Sequence, residues 1–220
     1  MVRAPLLGSI LGRAVADGKI AIGVHNIRDH AEGKHLTVDD TPYGGGAGMV
    51  MRVDVAARAV ESLLTPETHV ILTSPAGRPY CQADAERLSK LPHLLVLCGH
   101  YEGIDSRIEL LIDEEISLGD FVVTGGEIAA VAIIDAAARL VPGVLGNDES
   151  SRDESFSSGC LEYPQYTRPR EWRGLVVPEV LLSGHHEKIA RWRRAEAEAR
   201  TRLRRPDLLP GRIDGLADIE

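Results

Sequence analysis

The sequence predicts an α/β fold with a mainly parallel sheet, followed by a smaller basic domain of helical character. Three observations support this prediction. Up to Arg139, short apolar runs alternate with helix-like segments, which is typical of a parallel sheet covered by helices on both faces. Residues 142–159 are rich in Ser, Gly and acidic residues and have no apolar periodicity, as in a linker. Beyond them, residues 188–204 read as a basic helix.

The first part of the chain contains four candidate strands. They lie at residues 20–27, 69–72, 94–98 and 116–124. The run 94–98 is continuously apolar, so we expect a fully buried strand there. The last run is broken at Gly119 and closed by Gly125 and Gly126. Helices are expected at residues 53–64, 84–91, 104–111 and 127–139.

The composition is that of an ordinary globular protein, with 220 residues, 44% apolar and 26% charged, enough for one large or two small domains. No run approaches the roughly 20 apolar residues of a membrane span, and the start MVRAPLLGSI lacks a secretory signal. The three cysteines Cys81, Cys98 and Cys160 are odd in number and are not spaced like zinc ligands. We therefore expect a cytoplasmic protein with free thiols and no metal site.

Charge is distributed unevenly along the chain. The net charge is −8, yet residues 168–212 hold 12 Lys and Arg against 6 acidic residues, a local charge of +6, which leaves −14 for the remainder. A basic arm on an acidic body indicates either a nucleic-acid partner or simply a solvated helix face. Domain limits are predicted at residues 1–141 and 161–220, joined by a linker at 142–160.

Three loops follow candidate strands at comparable places in successive β-α units. They read TSPAG at residues 73–77, GHYEGID at 99–105 and LGDFVVTGGE at 118–127. The carboxyl ends of parallel strands meet at one edge of a sheet, so the loops are expected to converge on one crevice. Glycine there lets main-chain groups approach a ligand closely. The glycine-rich stretch at residues 41–49 lacks the lysine of a phosphate-binding P-loop, and a structural role is equally open for it.

Seven segments of this chain carry a resemblance to a known family. They are VDDTPYGGGAGMVM (38–51), TSPAG, CGHYEGID, EISLGDFVVTGGE, RLVPGVLGN (139–147), ESFSSGCLEYPQYTRP (154–169) and VPEVLLSGHHEKI (177–189). In these segments, and in their order, the chain resembles the bacterial tRNA (guanine-N1)-methyltransferases, the TrmD family of the SPOUT class. The resemblance extends from about residue 12 to residue 206.

The resemblance implies a SPOUT-type sheet with a deep trefoil knot, plus a small helical C-terminal domain. S-adenosylmethionine would be held bent by the three loops, with main-chain groups bonded to its adenine. The cofactor-binding residues so implied are Leu72, Thr73, Ser74, Pro75, Gly77, Gly99, Tyr101, Glu102, Gly103, Leu118, Gly119, Phe121, Val123, Gly125 and Gly126. Magnesium is described for the family, but no ligand cluster for it is visible in the sequence.

The same resemblance implies a catalytic set of three residues. Arg139 stands where the family places the arginine that stabilises charge on guanine O6. The general base is normally an Asp followed by Ser-Phe, and that position is held by Glu154, with Ser155 beside it. Asp153 is adjacent and ranks second as the base. Two further departures from the family pattern are His100, where many members have Arg, and Phe121, where many have Tyr.

For the partners, the resemblance implies tRNA and a homodimer whose site is shared between subunits. Phosphate contacts are expected from the basic C-terminal domain. Their candidates are His185, Arg191, Arg193, Arg194, Arg200, Arg202, Arg204 and Arg205. The family also usually opens with an apolar strand leading into Phe-Pro-Glu, which does not appear in this sequence.

The expected activity is methylation of the guanosine just 3′ of the anticodon in tRNA. Two alternatives stay open from the sequence. One is a SPOUT methyltransferase for another RNA site. The other is a nonenzymatic RNA-binding module that keeps the fold, an option favoured by the Glu at the base position and by the apparent lack of a first strand.

Overall fold

The computed structural model of the protein describes residues 2–146, 154–157 and 159–209. Their chain divides into two units, one ending at Gly146 and one following it. Residues 147–153 and 158 of the expected linker lie outside the described residues, as do residues 210–220 of the expected C-terminal domain. The domain limits at 141 and 161 therefore stay a prediction.

The N-terminal unit contains five helices and five strands, two of the strands being very short. The helices are α1 (Arg3–Leu6), α2 (Ser9–Ala16), α3 (Val53–Glu61), α4 (Gln82–Leu88) and α5 (Glu127–Ala138), with 3₁₀ helices at Ile27–His30 and Ser106–Leu111. The strands are β1 (Asp39–Asp40), β2 (Val50–Met51), β3 (Thr68–Pro79), β4 (His93–Cys98) and β5 (Glu114–Ser117). No helix among the described residues is long and apolar enough to cross a membrane.

Three parallel strands form the central sheet, in the order β4-β3-β5. Strand β3 pairs with β4 over its first half, from Thr68 opposite His93 to Thr73 opposite Cys98. It pairs with β5 twice, because the register shifts between Thr73 and Arg78. Residues 74–77, predicted to be a loop after a short strand, therefore lie inside one long strand as an irregular insertion.

Helices cover both faces of this sheet, which confirms the predicted α/β class with a parallel sheet. On one face, Ala56 and Val60 of α3 pack against Val70, Leu72 and Leu97. On the other face, α4 and α5 contribute to a second buried cluster, formed by Ile71, Leu88, Ile116, Ile133 and Ala137. Successive residues of β3 thus point to opposite clusters, as side chains in a strand do.

Two strand predictions were wrong in extent or burial. The run 116–124 is a strand only as far as Ser117, and the following residues form a loop. Strand β4 was expected to be fully buried, yet within it only Leu97 is buried. The reason is its position, since β4 is an edge strand with no partner on its outer side among the described residues.

The predicted strand at residues 20–27 is absent from the sheet. Ile20, Ile22 and Val24 are half-buried and the residues between them are exposed, which is the alternation of a strand. However, no backbone–backbone hydrogen bond joins residues 20–25 to any other described residue. Residues 20–25 therefore have the side-chain alternation of a strand but pair with no neighbouring strand among the described residues.

The described part of the C-terminal unit consists of a hairpin and two helices. The hairpin strands are β6 (Glu171–Trp172) and β7 (Leu175–Val176), and the helices are α6 (Glu179–Leu182) and α7 (His186–Arg204), with a 3₁₀ turn at Pro206–Leu208. Buried Thr201 ties α7 to the preceding chain, because its Oγ1 accepts the N–H of Leu161 at 2.8 Å and donates to the carbonyl of Ala197 at 2.7 Å.

Gly77 is expected to be intolerant of any side chain. A Cβ there would lie 2.5 Å from the backbone nitrogen of Ile116 and 2.6 Å from the carbonyl carbon of Glu115. Gly77→Ala must push β3 and β5 apart, and overpacking of this kind costs about 1–3 kcal/mol. Urea unfolding measures this loss.

Gly146→Ala is the matched control, because a Cβ at Gly146 would meet no atom of the described residues within 4 Å. Equal stability of the two variants would contradict the close approach of β3 and β5.

Candidate functional site

A cavity of about 480 Å³ lies beside the carboxyl ends of β4 and β5 and the inserted residues of β3. Its volume falls within the range of small-ligand sites, about 300–1,000 Å³. The three loops expected to converge do form its walls. Of the fifteen implied cofactor-binding residues, fourteen line this cavity and Gly77 does not. Gly77 instead lies against the backbone of β5, so its contribution is to packing.

The loop after β4 turns sharply at Tyr101 and Gly103. Tyr101 has a φ of +59°, unusual for a residue with a side chain, and Gly103 has a φ of +121°. The N–H of Gly103 donates to the carbonyl of His100 at 3.0 Å, which closes the turn. Strained backbone of this kind persists only where surrounding structure holds it.

The glycine-rich stretch at residues 41–49 supports this turn from outside and does not line the cavity. The N–H of Glu102 donates to the carbonyl of Met49 at 3.0 Å, and the N–H of Met51 donates to the carbonyl of Gly103 at 2.9 Å. At Gly48 the φ is +82°, and the side chain of Glu102 occupies the place where a Cβ would lie. A structural role, the alternative left open by the sequence, therefore accounts for at least one of these glycines.

The third loop is held close to the first two by glycine as well. The N–H of Gly126 donates to the carbonyl of Gly99 at 2.7 Å. A Cβ at Gly126 would collide with Oγ1 of Thr73 and would lie 3.0 Å from the nitrogen of Gly99. Residues from all three loops therefore meet at Gly126, which leaves no room there for any side chain.

Ser117 and His100 fix two further points of the cavity wall. Ser117 Oγ accepts the N–H of Gly119 at 3.1 Å and lies 3.2 Å from the carbonyl oxygen of the same residue, to which it donates. Nδ1 of His100 lies 3.4 Å from a carboxylate oxygen of Glu127, the first residue of α5. This pair joins the loop after β4 to the start of α5.

Cys98, at the end of β4, is not suited to nucleophilic chemistry. Burial, and to a smaller extent the negative charge of Glu127, raises the pKa of its thiol to about 12. The thiol is therefore protonated at neutral pH, and a protonated thiol is a poor nucleophile. The described residues also contain no group of three or more His, Cys, Asp and Glu placed to hold a metal ion.

The structure does not bring Arg139 to this cavity within one chain. Arg139 follows the last residue of α5, whose first turn lies at the cavity through Gly126 and Ala129. A helix of 12 residues is about 18 Å long. Arg139 is therefore at the opposite end of α5 from the cofactor loops, and it is absent from the cavity lining.

Glu154 and Ser155 belong to the C-terminal unit, and Asp153 lies outside the described residues. The backbone carbonyl of Glu154 accepts a hydrogen bond from Oγ of Ser157 at 2.7 Å. Oγ of Ser155 accepts the N–H of Glu162 at 3.0 Å. Ser155 Oγ therefore helps to hold the backbone of its own segment, and its catalytic role stays a prediction.

The seven predicted RNA-contacting arginines occupy different environments. Three of them contact their own unit: Arg193 lies over the ring of Tyr163 at 4.7 Å, Arg200 donates to the carbonyl of Glu162 at 3.4 Å, and Arg205 pairs with Asp207. An α-helix turns by about 100° per residue, so the exposed Arg191, Arg194 and Arg202 lie within about 80° of each other around α7. They lie on the side of the helix opposite to Arg193 and Arg200. Exposed His185 precedes the helix.

Sequence reasoning did not name every residue of the cavity. Ala76, His100, Ile104, Val122 and Thr124 belong to the three loops that were expected to converge there, whereas Ser117 and Ala129 lie outside those loops. The missed signal for Ser117 was a hydroxyl two positions before Gly119, where it can bond the loop backbone.

Comparison with known proteins places the whole N-terminal unit and most of the C-terminal unit in one family. The family model for tRNA (guanine-1)-methyltransferase TrmD matches residues 1–211. Three similar relatives carry the name tRNA (guanine-N(1)-)-methyltransferase. The protein from Citrifermentans bemidjiense is 56% identical over 96% of this chain and 86% of its own length. Those from Dictyoglomus turgidum and Streptococcus gordonii are each 55% identical, over 95% and 94% of this chain and 85% and 84% of their own lengths. The chain therefore belongs to the TrmD family of tRNA (guanine-1)-methyltransferases.

Proposed function

We propose that this protein transfers a methyl group from S-adenosylmethionine to N1 of the guanosine just 3′ of the anticodon in tRNA. The observation that carries the proposal is the cavity formed by loops 72–76, 99–103 and 118–126, in a chain of this family. Its walls are largely main chain and small or apolar side chains, and the carboxylates of Glu102 and Glu115 are also part of the lining. The apolar and main-chain parts suit the adenine and ribose of the cofactor, which need hydrogen bonds and close packing but little compensating charge.

The cofactor supplies the methyl group as a sulfonium. As the new bond to guanine N1 forms and the bond between sulfur and the methyl carbon breaks, the proton on N1 must leave. We assign that proton to the carboxylate of Glu154, because a carboxylate positioned at N1 acts as a general base. Negative charge develops on guanine O6 in the same step, and the guanidinium of Arg139 stabilises it.

A second copy of the chain completes the site in this proposal. The helix length that separates Arg139 from the cofactor loops supports it, because one chain cannot bring the two ends of α5 together. In a homodimer with two-fold symmetry, one region of the first copy can contact a different region of the second copy, and the reverse contact forms as well. In such a dimer, one active site contains the cofactor loops of one copy together with Arg139 and Glu154 of the other.

The tRNA contact is assigned to the C-terminal helical domain. The supporting feature is the outer face of α7, where Arg191, Arg194 and Arg202 make no side-chain hydrogen bond or ion pair with other described residues. Arginines of this kind contact phosphates and set the position of the RNA without reading its sequence. The target guanine must leave its stack to reach the cavity.

The trefoil knot is also part of the proposal. Strand β3 supports it, because β3 pairs with β5 on both sides of the insertion at residues 74–77. A cytoplasmic location is proposed with it, since that is where tRNA is modified in bacteria.

Identification of the product tests the function directly. Incubation of transcribed tRNA with the protein and S-adenosylmethionine should yield 1-methylguanosine in the nucleoside digest, detected by mass spectrometry. Arg139→Ala should lower the single-turnover rate by about 10²-fold or more, the usual size for loss of one charge-stabilising group. Methylation of ribosomal RNA instead of tRNA, or no methylation of either, would overturn the assignment.

Glu154→Gln should abolish most of the single-turnover rate and leave cofactor binding intact. The amide keeps the shape of the side chain but cannot accept the N1 proton, and general-base catalysis is worth about 10²–10⁴-fold. Glu67→Gln, at an exposed carboxylate of the N-terminal unit, is the matched control. If Glu154→Gln methylates at a near-normal rate and Asp153→Asn loses methylation, the general base is Asp153 and not Glu154.

Mixing of two inactive variants tests the shared site. Arg139→Ala lacks the arginine and Gly126→Val blocks the cavity, so each homodimer is inactive. A mixed dimer would combine the open cavity of one copy with Arg139 of the other, and random exchange should restore about a quarter of the activity. A monomer by light scattering, or a mixture no more active than its parts, would rule out the shared site.

A further inference from the structure

Arg78 bridges two carboxylates at the point where β3 returns to β5 after the insertion at residues 74–77. Its Nη1 donates to Oδ2 of Asp84 at 2.7 Å, and its Nη2 donates to Oε2 of Glu114 at 3.1 Å. Asp84 belongs to α4 and Glu114 to β5. One guanidinium therefore joins three elements of the N-terminal unit.

The insertion has one anchor at each of its ends. Thr73 and Arg78 both lie opposite Ile116 in the ladder between β3 and β5, so the chain leaves and rejoins β5 at the same place. At the first end, Oγ1 of buried Thr73 donates to the carbonyl of Leu97 at 3.2 Å. At the second end, the side chain that holds the returning strand is Arg78.

The carboxylate of Asp84 is itself fixed in place. Its side chain is only 8% exposed, and its Oδ2 accepts the N–H of Cys81 at 3.0 Å, at the start of α4. The guanidinium of Arg78 holds the pKa of Asp84 well below its usual range, and the hydrogen bonds from Cys81 act in the same direction. Asp84 is therefore ionised at neutral pH and binds Arg78 through a charge-assisted hydrogen bond.

Glu114 is held on its other side by two further groups. Nη2 of Arg87 lies 2.8 Å from each of its carboxylate oxygens. Nε2 of His69, in the part of β3 before the insertion, lies 2.8 Å from Oε1. Both carboxylates are thus preset, and the planar fork of a guanidinium can donate to two acceptors in fixed directions. Arg78 is suited to this place in a way that a lysine is not.

Residues 74–76, between the two anchors, form one wall of the smaller cavity. We propose that Arg78 is a positioning residue for the methyl donor, because its bridge between Asp84 and Glu114 holds residues 74–76 in the conformation that binds S-adenosylmethionine. Arg78 does not line the cavity, so it acts through the backbone of the insertion. This inference rests on the proposed function, which names S-adenosylmethionine as the ligand.

Replacement of Arg78 tests the role through ligand binding. Arg78→Met keeps the aliphatic part of the side chain and removes both hydrogen bonds. The apparent affinity of a ligand falls with the fraction of molecules in the binding conformation, so we expect Kd for S-adenosylhomocysteine to rise about ten-fold or more, measured by calorimetry on the full chain. The methylation rate at saturating cofactor should stay within about two-fold, since no group that touches the reactants has changed.

Arg87→Met is the matched control. Arg87 also binds Glu114 and lies 3.6 Å from Oδ1 of Asp84, and its side chain is 43% exposed against 50% for Arg78. It belongs to α4 and not to β3, so its loss removes a similar charge without releasing the insertion. The two variants should lose similar stability in urea, whereas Kd should change by less than about two-fold in Arg87→Met.

Amide exchange without any ligand gives a second readout. In Arg78→Met, the amides of Ser74, Ala76 and Gly77 should exchange about ten-fold faster than in the unmodified protein. In Arg87→Met they should exchange at the unmodified rate. Arg78→Lys keeps the charge but cannot bond both carboxylates at once, so its Kd should stay about five-fold or more above that of the unmodified protein.

The outcomes separate this inference from the proposed function. Equal Kd for Arg78→Met and the unmodified protein, or equal weakening in Arg78→Met and Arg87→Met, would overturn the inference and leave the proposed function standing. Full affinity in Arg78→Lys would also overturn it, because charge alone would then be sufficient. If the unmodified protein does not bind S-adenosylhomocysteine, the proposed function fails, and this inference fails with it.

Discussion

The arrangement of the N-terminal unit depends on the double pairing of β3 with β5. Residues 74–77 leave the ladder after Thr73, and β3 returns to the same neighbour at Arg78. This return brings the two backbones so close that only glycine fits at position 77. Because the inserted residues 74–76 line the smaller cavity, the strand that forms the centre of the core also supplies one wall of the site.

Glycine has two physical roles around this cavity. Gly77 and Gly126 allow close approach of backbones, since a Cβ at either would collide with neighbouring atoms. Gly103 and Gly119 instead adopt positive φ in turns, where L residues with side chains are strained. Both roles produce a rigid wall made of main chain. A rigid, preformed wall lowers the entropy lost when a ligand is ordered against it.

The two cavities of the N-terminal unit differ in their linings. The cavity at the loops presents polar main chain and the carboxylates of Glu102 and Glu115. A second cavity of about 940 Å³, beside the outer edge of β4, is lined mostly by apolar side chains. Arg139 lies at the end of α5 remote from the cofactor loops, so the chemistry assigned to it belongs to a third region.

The sequence by itself determined the α/β class and the helices α3, α4 and α5 to within a few residues, because these depend on local periodicity. It also determined the three loops and the family, because these depend on motifs of neighbouring residues. It did not reveal that residues 74–77 lie inside β3, that β4 is an edge strand, or that residues 20–25 pair with no strand among the described residues. Strand pairing is a contact between residues distant in the chain, and an apolar run has the same appearance whether or not a neighbour completes its ladder. Only the tertiary structure decided which edges were paired, which glycines were required by close approach, and how far Arg139 lies from the cavity.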